Sequence, residues 1–260
     1  MEFKLTDQFI NKYKRKKPPF GFGGLGELVY MRCVTTDTPV LCGDLIWRSA
    51  GELKEGDSLL AFDEELNDET KERYLKLATV THNKIEKAKV LGIELEDGTV
   101  LYATPEHRWL AFQHGTLQWV QTKDLGIGVN GAFTYLPKWS DVWEKESSYE
   151  AGFLAAAFDG EGSLDRQWNV SFLQKNNNML SKVEEFMNDM GFPFSKREAT
   201  TDGVYSIKLI GGREKLLEFF GRTRPLRLLE KYLSRIENIS LRMKRSSRLK
   251  VERVFDAGER

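Results

Sequence analysis

The chain has 260 residues, 40% hydrophobic and 12% aromatic, enough for one large or two ordinary cores. Its 39 basic and 39 acidic side chains cancel, so nucleic-acid binding cannot be read from the total and has to be sought in local clusters. No run of about 18 apolar residues occurs. The polar, lysine-rich N-terminus carries no apolar signal segment, which predicts a cytoplasmic chain with reduced cysteines and argues against a disulfide framework or a zinc site.

Residues 1 to 32 run from a basic stretch (Lys12, Lys14, Arg15, Lys16, Lys17) into the glycine-punctuated Phe20-Gly-Phe-Gly-Gly-Leu-Gly26, a turn-rich segment that buries no core alone. From Cys33 to about Trp139, short apolar runs alternate with turn signals: Pro39-Val-Leu, Asp57-Ser-Leu-Leu-Ala-Phe62, and Ala88 to Leu95. Asp97-Gly98 between two such runs is a strong hairpin signal, so this part reads as mostly β. At Ser147 the texture turns helical, with Ser147 or Ser148 as N-cap of a small-residue run from Tyr149 to Phe158. A second helix fits Asn178 to Met190, with Met179, Val183, Phe186, Met187 and Met190 on one face. Tyr205 to Ile210 alternates as a strand, Gly211-Gly212 turns the chain, and Arg213 to Phe220 resumes a helix. Leu249 to Phe255 reads as a strand again. An α+β middle between β stretches implies a second domain inserted into the first.

Four blocks in order carry a resemblance to the hedgehog/intein (Hint) family. Cys33-Val-Thr-Thr-Asp-Thr-Pro-Val40 resembles the opening block, which begins with the nucleophilic cysteine. Glu52-Leu-Lys-Glu-Gly-Asp-Ser-Leu-Leu-Ala-Phe-Asp63 is similar to a following strand, Gly98 to His107 to the Thr-x-x-His block, and Trp119 to Leu125 to the strand-turn after it. The resemblance implies a mainly β, horseshoe-like splicing domain over 33–143, resuming over 247–260. The chemistry fits the residue types. A thiol is reactive enough near neutral pH to attack the Arg32 carbonyl. An imidazole, His107, can protonate the departing nitrogen, and Thr104 can hold or polarise the amide. Cys42, His82 and His114 have no such context and read as structural.

Within this frame, Tyr149 to Ser163 resembles the LAGLIDADG homing endonuclease signature, with Leu154 to Gly162 as its nine residues. Ala156 stands where the family has glycine, and Glu161 where aspartate is commoner. Ala151, Gly152, Ala155 and Ala156 suggest a bare helix face on which two such helices can pack. The resemblance implies an α+β endonuclease domain over 144–246 that uses Mg2+, with Glu161 as metal ligand and Asp159 as the weaker candidate. It also implies double-stranded DNA, the host gene lacking the insertion, as substrate. With one signature copy, cutting both strands requires a homodimer through the helix 149–158. Residues 222 to 253 hold eleven basic side chains against three acidic ones. Arg222, Arg224, Arg227, Lys244, Arg245 and Arg248 are the candidate DNA contacts.

Gln8 to Tyr13 and Pro18 to Arg32 resemble the start of a monomeric adenosylcobalamin-dependent ribonucleotide reductase, which makes residues 1–32 the host's segment. Val251 to Arg260 resembles the first half of the intein's C-terminal block, without its closing His-Asn pair. The expected partner is therefore the remaining intein segment with the downstream host sequence, and the expected chain forms the Arg32 thioester but does not complete splicing. Two other readings remain open: a DNA-binding, catalytically inactive LAGLIDADG protein, and a hedgehog-type self-cleaving domain.

Overall fold

The computed structural model describes residues 2–5, 33–126, 133–137, 141–199, 203–240 and 248–260. Asp97-Gly98 turns the chain between the strands Lys89–Leu95 and Val100–Ala103, as its composition implies. Gly98 takes a φ of +83°, and the Asp97 carboxylate accepts the Thr99 amide at 3.0 Å. The described chain is mostly β, with several sheets and four α-helices.

The first half supplies β1 (Glu2–Leu5), β2 (Pro39–Leu41), β3 (Trp47–Ser49), β4 (Ser58–Phe62), β5 (Leu75–Thr79), β6 (Asn83–Glu86) and β7 (Lys89–Leu95). It continues through β8 (Val100–Ala103), β9 (Arg108–Gln113), β10 (Thr116–Gln121) and β11 (Tyr135–Pro137). The helical stretch contains α1 (Tyr149–Glu161), β12 (Gly162–Leu164), β13 (Val170–Lys175) and α2 (Asn178–Asp189). There follow β14 (Phe194–Glu198), β15 (Val204–Leu209), α3 (Gly212–Thr223), α4 (Leu226–Leu233) and finally β16 (Arg248–Glu259).

The largest sheet has the order β10-β9-β11-β16-β7-β8. Its fourth strand, β16, comes from beyond all four helices and lies antiparallel between β11 and β7. The helical stretch therefore interrupts one sheet. It carries its own antiparallel sheet, ordered β12-β13-β15-β14. Side chains on one face of that sheet, among them Phe172 and Ile207, are fully buried with Leu154 and Phe158 of α1 and Phe219 of α3.

Local signals account for the helix starts. The Ser148 side chain accepts the Ala151 amide at 3.3 Å, and Asn177 accepts the Leu180 amide at 3.1 Å. The face of α1 differs in one respect from its sequence reading, because Ala151 turns inward and is buried. The exposed small residues are Gly152, Ala156 and Gly160, four apart, while Ala155 is half-buried.

The two parts do not pack as separate cores, since Leu45, Leu75 and Trp143 belong to the same buried cluster as the helices. At this junction the Trp143 indole donates to the Leu45 carbonyl (3.1 Å) and Arg224 donates to the Asp44 carbonyl (2.8 Å). Arg48 chelates the Asp44 carboxylate (3.2 and 2.7 Å), which also accepts the Ile46 amide. Burial raises the Asp44 pKa, but these bonds outweigh it and hold the carboxyl below its ordinary value. A lowered folded-state pKa contributes stability that is complete above the unfolded value, about 3.9, and is lost as pH falls. Asp44→Asn is therefore expected to lower Tm at neutral pH, the two melting curves converging below roughly pH 3.9. A constant difference down to pH 3 would contradict this ionic role.

Candidate functional site

Cys33 and Thr104 are 71 positions apart and meet through the backbone of β8. Val34 bridges Ala103, and Thr35 donates to the Tyr102 carbonyl at 3.3 Å. The Cys33 amide donates to Thr104 Oγ1 (2.9 Å), and the Thr104 amide donates back to the Cys33 carbonyl (2.9 Å). Both side chains are buried. The nitrogen donating to Thr104 is the one that would leave if the bond preceding Cys33 were broken. An oxygen beside it favours positive charge as that nitrogen becomes an amine.

The next turn places His107. Its amide donates to the Thr104 carbonyl (3.0 Å), and its own carbonyl accepts the Thr122 amide (2.8 Å) and hydroxyl (3.2 Å). The imidazole lies edge-on to Trp109, with centroids 4.9 Å apart. The Trp109 indole donates to Thr122 Oγ1 at 3.0 Å, and its ring packs on the cluster of Cys33, Val34, Ala50 and Ala103. Trp109 thus touches the surroundings of both Cys33 and His107. Sequence reading assigned no role to Trp109 or to the fully buried Thr122. Trp109 lies on β9 and Thr122 one residue past the end of its partner strand β10, so only the pairing of these two strands brings them together. Cys42 lies elsewhere, buried with Leu53 and Val80, and burial pushes its thiol pKa up despite Arg48.

The second candidate cluster sits where α1 ends. Glu161 is the last residue of that helix and is exposed between Gly160 and Gly162. Gly162 is required here, because a Cβ on it would lie 2.3 Å from the Phe158 carbonyl oxygen. Asp159 Oδ1 accepts the Arg227 amide at 3.0 Å. Among the described residues, no group of three or more His, Cys, Asp and Glu side chains could hold a metal ion. Magnesium is commonly bound through one or two carboxylates, waters and substrate phosphates, and Glu161 fits that pattern as a single protein ligand.

Four of the six basic residues proposed for DNA make contacts within the protein. Arg222 bonds Glu146, Glu218 and the Met190 carbonyl, and Arg224 the Asp44 carbonyl. Arg227 bonds the carbonyls of Phe158, Asp159 and Gly162, and Arg248 stacks on Phe112. Lys244 and Arg245 lie outside the described residues, as do 6–32, including Arg32.

A different basic surface emerges from strand register. Ser163, Ser171, Lys208 and Ser195 pair across the four strands of the smaller sheet, and Leu173, Ser206 and Arg197 form the next row. These rows lie on the face opposite Phe172 and Ile207, so Lys208, Arg197 and Lys175 share that side with Ser163, Ser171 and Ser195, the exposed Leu173 and the buried Ser206.

No family model matches the chain. Curated relatives match its N-terminal end: 68% identity over 31 residues with a probable adenosylcobalamin-dependent ribonucleoside-triphosphate reductase of Dictyostelium discoideum, and 57% over 30 residues with the adenosylcobalamin-dependent ribonucleoside-triphosphate reductase of Euglena gracilis. Each match covers 12% of this chain and 4% of the relative. Among the described residues, no helix is long and apolar enough to cross a membrane.

Proposed function

We propose that this chain is a protein-splicing element of the intein type, interrupting an adenosylcobalamin-dependent ribonucleotide reductase, with an inserted LAGLIDADG-type DNA endonuclease. The observation that carries the splicing reading is the hydrogen bond from the Cys33 amide to Thr104 Oγ1. In the reaction, Cys33 Sγ attacks the Arg32 carbonyl carbon, the Arg32–Cys33 C–N bond breaks, and the nitrogen takes a proton from His107. The thiol proton leaves to solvent, and the product is an Arg32 thioester with a free amine on Cys33. The reductase-like N-terminal matches support a host on the upstream side of that bond.

The endonuclease reading is supported by Glu161, exposed at the end of α1, and by the basic sheet face that begins one residue later with β12. Bound Mg2+ would polarise the scissile phosphate and activate water. Glu161 would hold it, and Lys175, Arg197 and Lys208 would contact the phosphates of double-stranded DNA. The exposed Gly152, Ala156 and Gly160 stripe gives a second copy a face for close helix packing, which would supply a second carboxylate.

Glu161→Gln is expected to abolish Mg2+-dependent cleavage of a duplex carrying the host reading frame without the insertion, by at least ~10²-fold, while leaving duplex binding intact. Replacing Lys208 and Arg197 by Gln is expected to reduce the salt slope of binding by about 1 each. Undiminished cleavage by Glu161→Gln would remove Glu161 from the reaction. A salt slope unchanged by both lysine and arginine replacements would place the DNA elsewhere.

A further inference from the structure

We infer that Asp159 and Arg227 form a clasp between α1 and α4 that positions Glu161, and that Asp159 is not a metal ligand. The inference rests on the endonuclease reading for its functional half only. α1 ends without a left-handed cap, because its C-cap, Gly162, is extended with φ −79° and ψ 155°. The last carbonyls of a helix then need other donors.

Arg227 reaches three carbonyls around this end, the first of which, Phe158, also accepts the Gly162 amide. Its Nε donates to the Asp159 carbonyl (2.7 Å), and one terminal nitrogen donates to the carbonyls of Phe158 (3.1 Å) and Gly162 (2.7 Å). One turn further along α4, Lys231 Nζ donates to the Leu164 carbonyl at 2.6 Å. These four carbonyls bracket Glu161 on both sides. In return Asp159 Oδ1 accepts the Arg227 amide, near the start of α4, whose own N-cap, Pro225, has no side chain able to cap it. A carboxylate at a helix C-terminus, as Glu161 is, meets the negative end of the dipole, and the Arg227 guanidinium offsets that field. Arg227 is therefore a positioning residue, with its side chain directed at the backbone of α1.

The test separates the cap from a metal ligand through Asp159→Asn. An amide oxygen still accepts the Arg227 amide but is a poor Mg2+ ligand. Asp159→Asn is expected to melt with the wild type and to keep at least a tenth of its cleavage of the insertion-free host duplex. Asp159→Ala and Arg227→Ala are expected to lower Tm by roughly 2–4 °C. In Asp159→Ala the Arg227 amide should exchange with solvent roughly tenfold faster. Arg227→Ala should raise the Mg2+ concentration for half-maximal cleavage by roughly tenfold, a change that a purely structural contact would not produce.

If Asp159→Asn loses cleavage as fully as Glu161→Gln while melting normally, Asp159 is a ligand and the inference is overturned. It is also overturned if Asp159→Ala melts and exchanges as the wild type does. If the wild type cleaves no duplex, the endonuclease reading falls, and the clasp stands or falls on the order of melting temperatures and on the exchange rate.

Discussion

Dithiothreitol added to the purified chain is expected to release residues 1–32 as a discrete product, and Cys33→Ala to abolish that release. The thiol exchanges onto the Arg32 thioester, so the cleavage reports the acyl shift alone and requires no later step. His107→Ala is expected to slow it by ~10²–10⁴-fold, the range for loss of a positioned general acid. Thr104→Val keeps the volume and removes the hydroxyl that accepts the Cys33 amide at 2.9 Å, with an expected slowing of roughly ten- to a hundredfold. Trp109→Ala should slow the reaction without a chemical role of its own, by loosening the imidazole that packs against it. Mass spectrometry of the released segment fixes the cleavage position. Failure to release it from folded wild type, also with downstream intein strands supplied in trans, would show that Cys33 is not the nucleophile.

Much of this arrangement is legible in sequence where the signal is local. Asp97-Gly98 marks a hairpin through backbone geometry, and Ser148 and Asn177 mark helix starts through their side-chain oxygens. The pairing of Cys33 with Thr104 is not local, and only the ordered blocks bring the two residues to attention. Other features are invisible because their partners are backbone groups that exist only after folding. Arg222, Arg224 and Arg227 read as a basic surface in sequence, yet their guanidinium groups bond carbonyls at Met190, Asp44 and the end of α1. Helix α4 was hidden for a similar reason. Its apolar positions, Leu228, Leu229 and Tyr232, lie among basic residues that sequence reading assigned to DNA.

Glycine inside a helix is ordinarily a weakness, and alanine there would stabilise by about 1 kcal/mol. Gly221, in α3, is expected to behave in the opposite way. A Cβ added there would lie 2.2 Å from Trp143 Nε1 and 2.5 Å from the Leu45 carbonyl oxygen, the two atoms of one buried hydrogen bond. The indole also packs edge-on against Trp47, with centroids 5.5 Å apart, and is itself buried. Overpacking together with a broken buried bond sets the expected loss from Gly221→Ala at about 2–4 kcal/mol in urea denaturation. Trp143→Phe removes Nε1 and the adjoining ring, so the double variant should lose less than the sum of the single losses, with a coupling of about 1–3 kcal/mol. Additive losses would mean that the clash is relieved elsewhere, and a stabilised Gly221→Ala would refute the close approach itself. Because Cys33 belongs to a separate buried cluster, the acyl shift should persist in Gly221→Ala at temperatures where the chain is folded. Release of residues 1–32 by thiol at an unchanged rate would then show that the splicing chemistry does not depend on how tightly the helical insertion is docked.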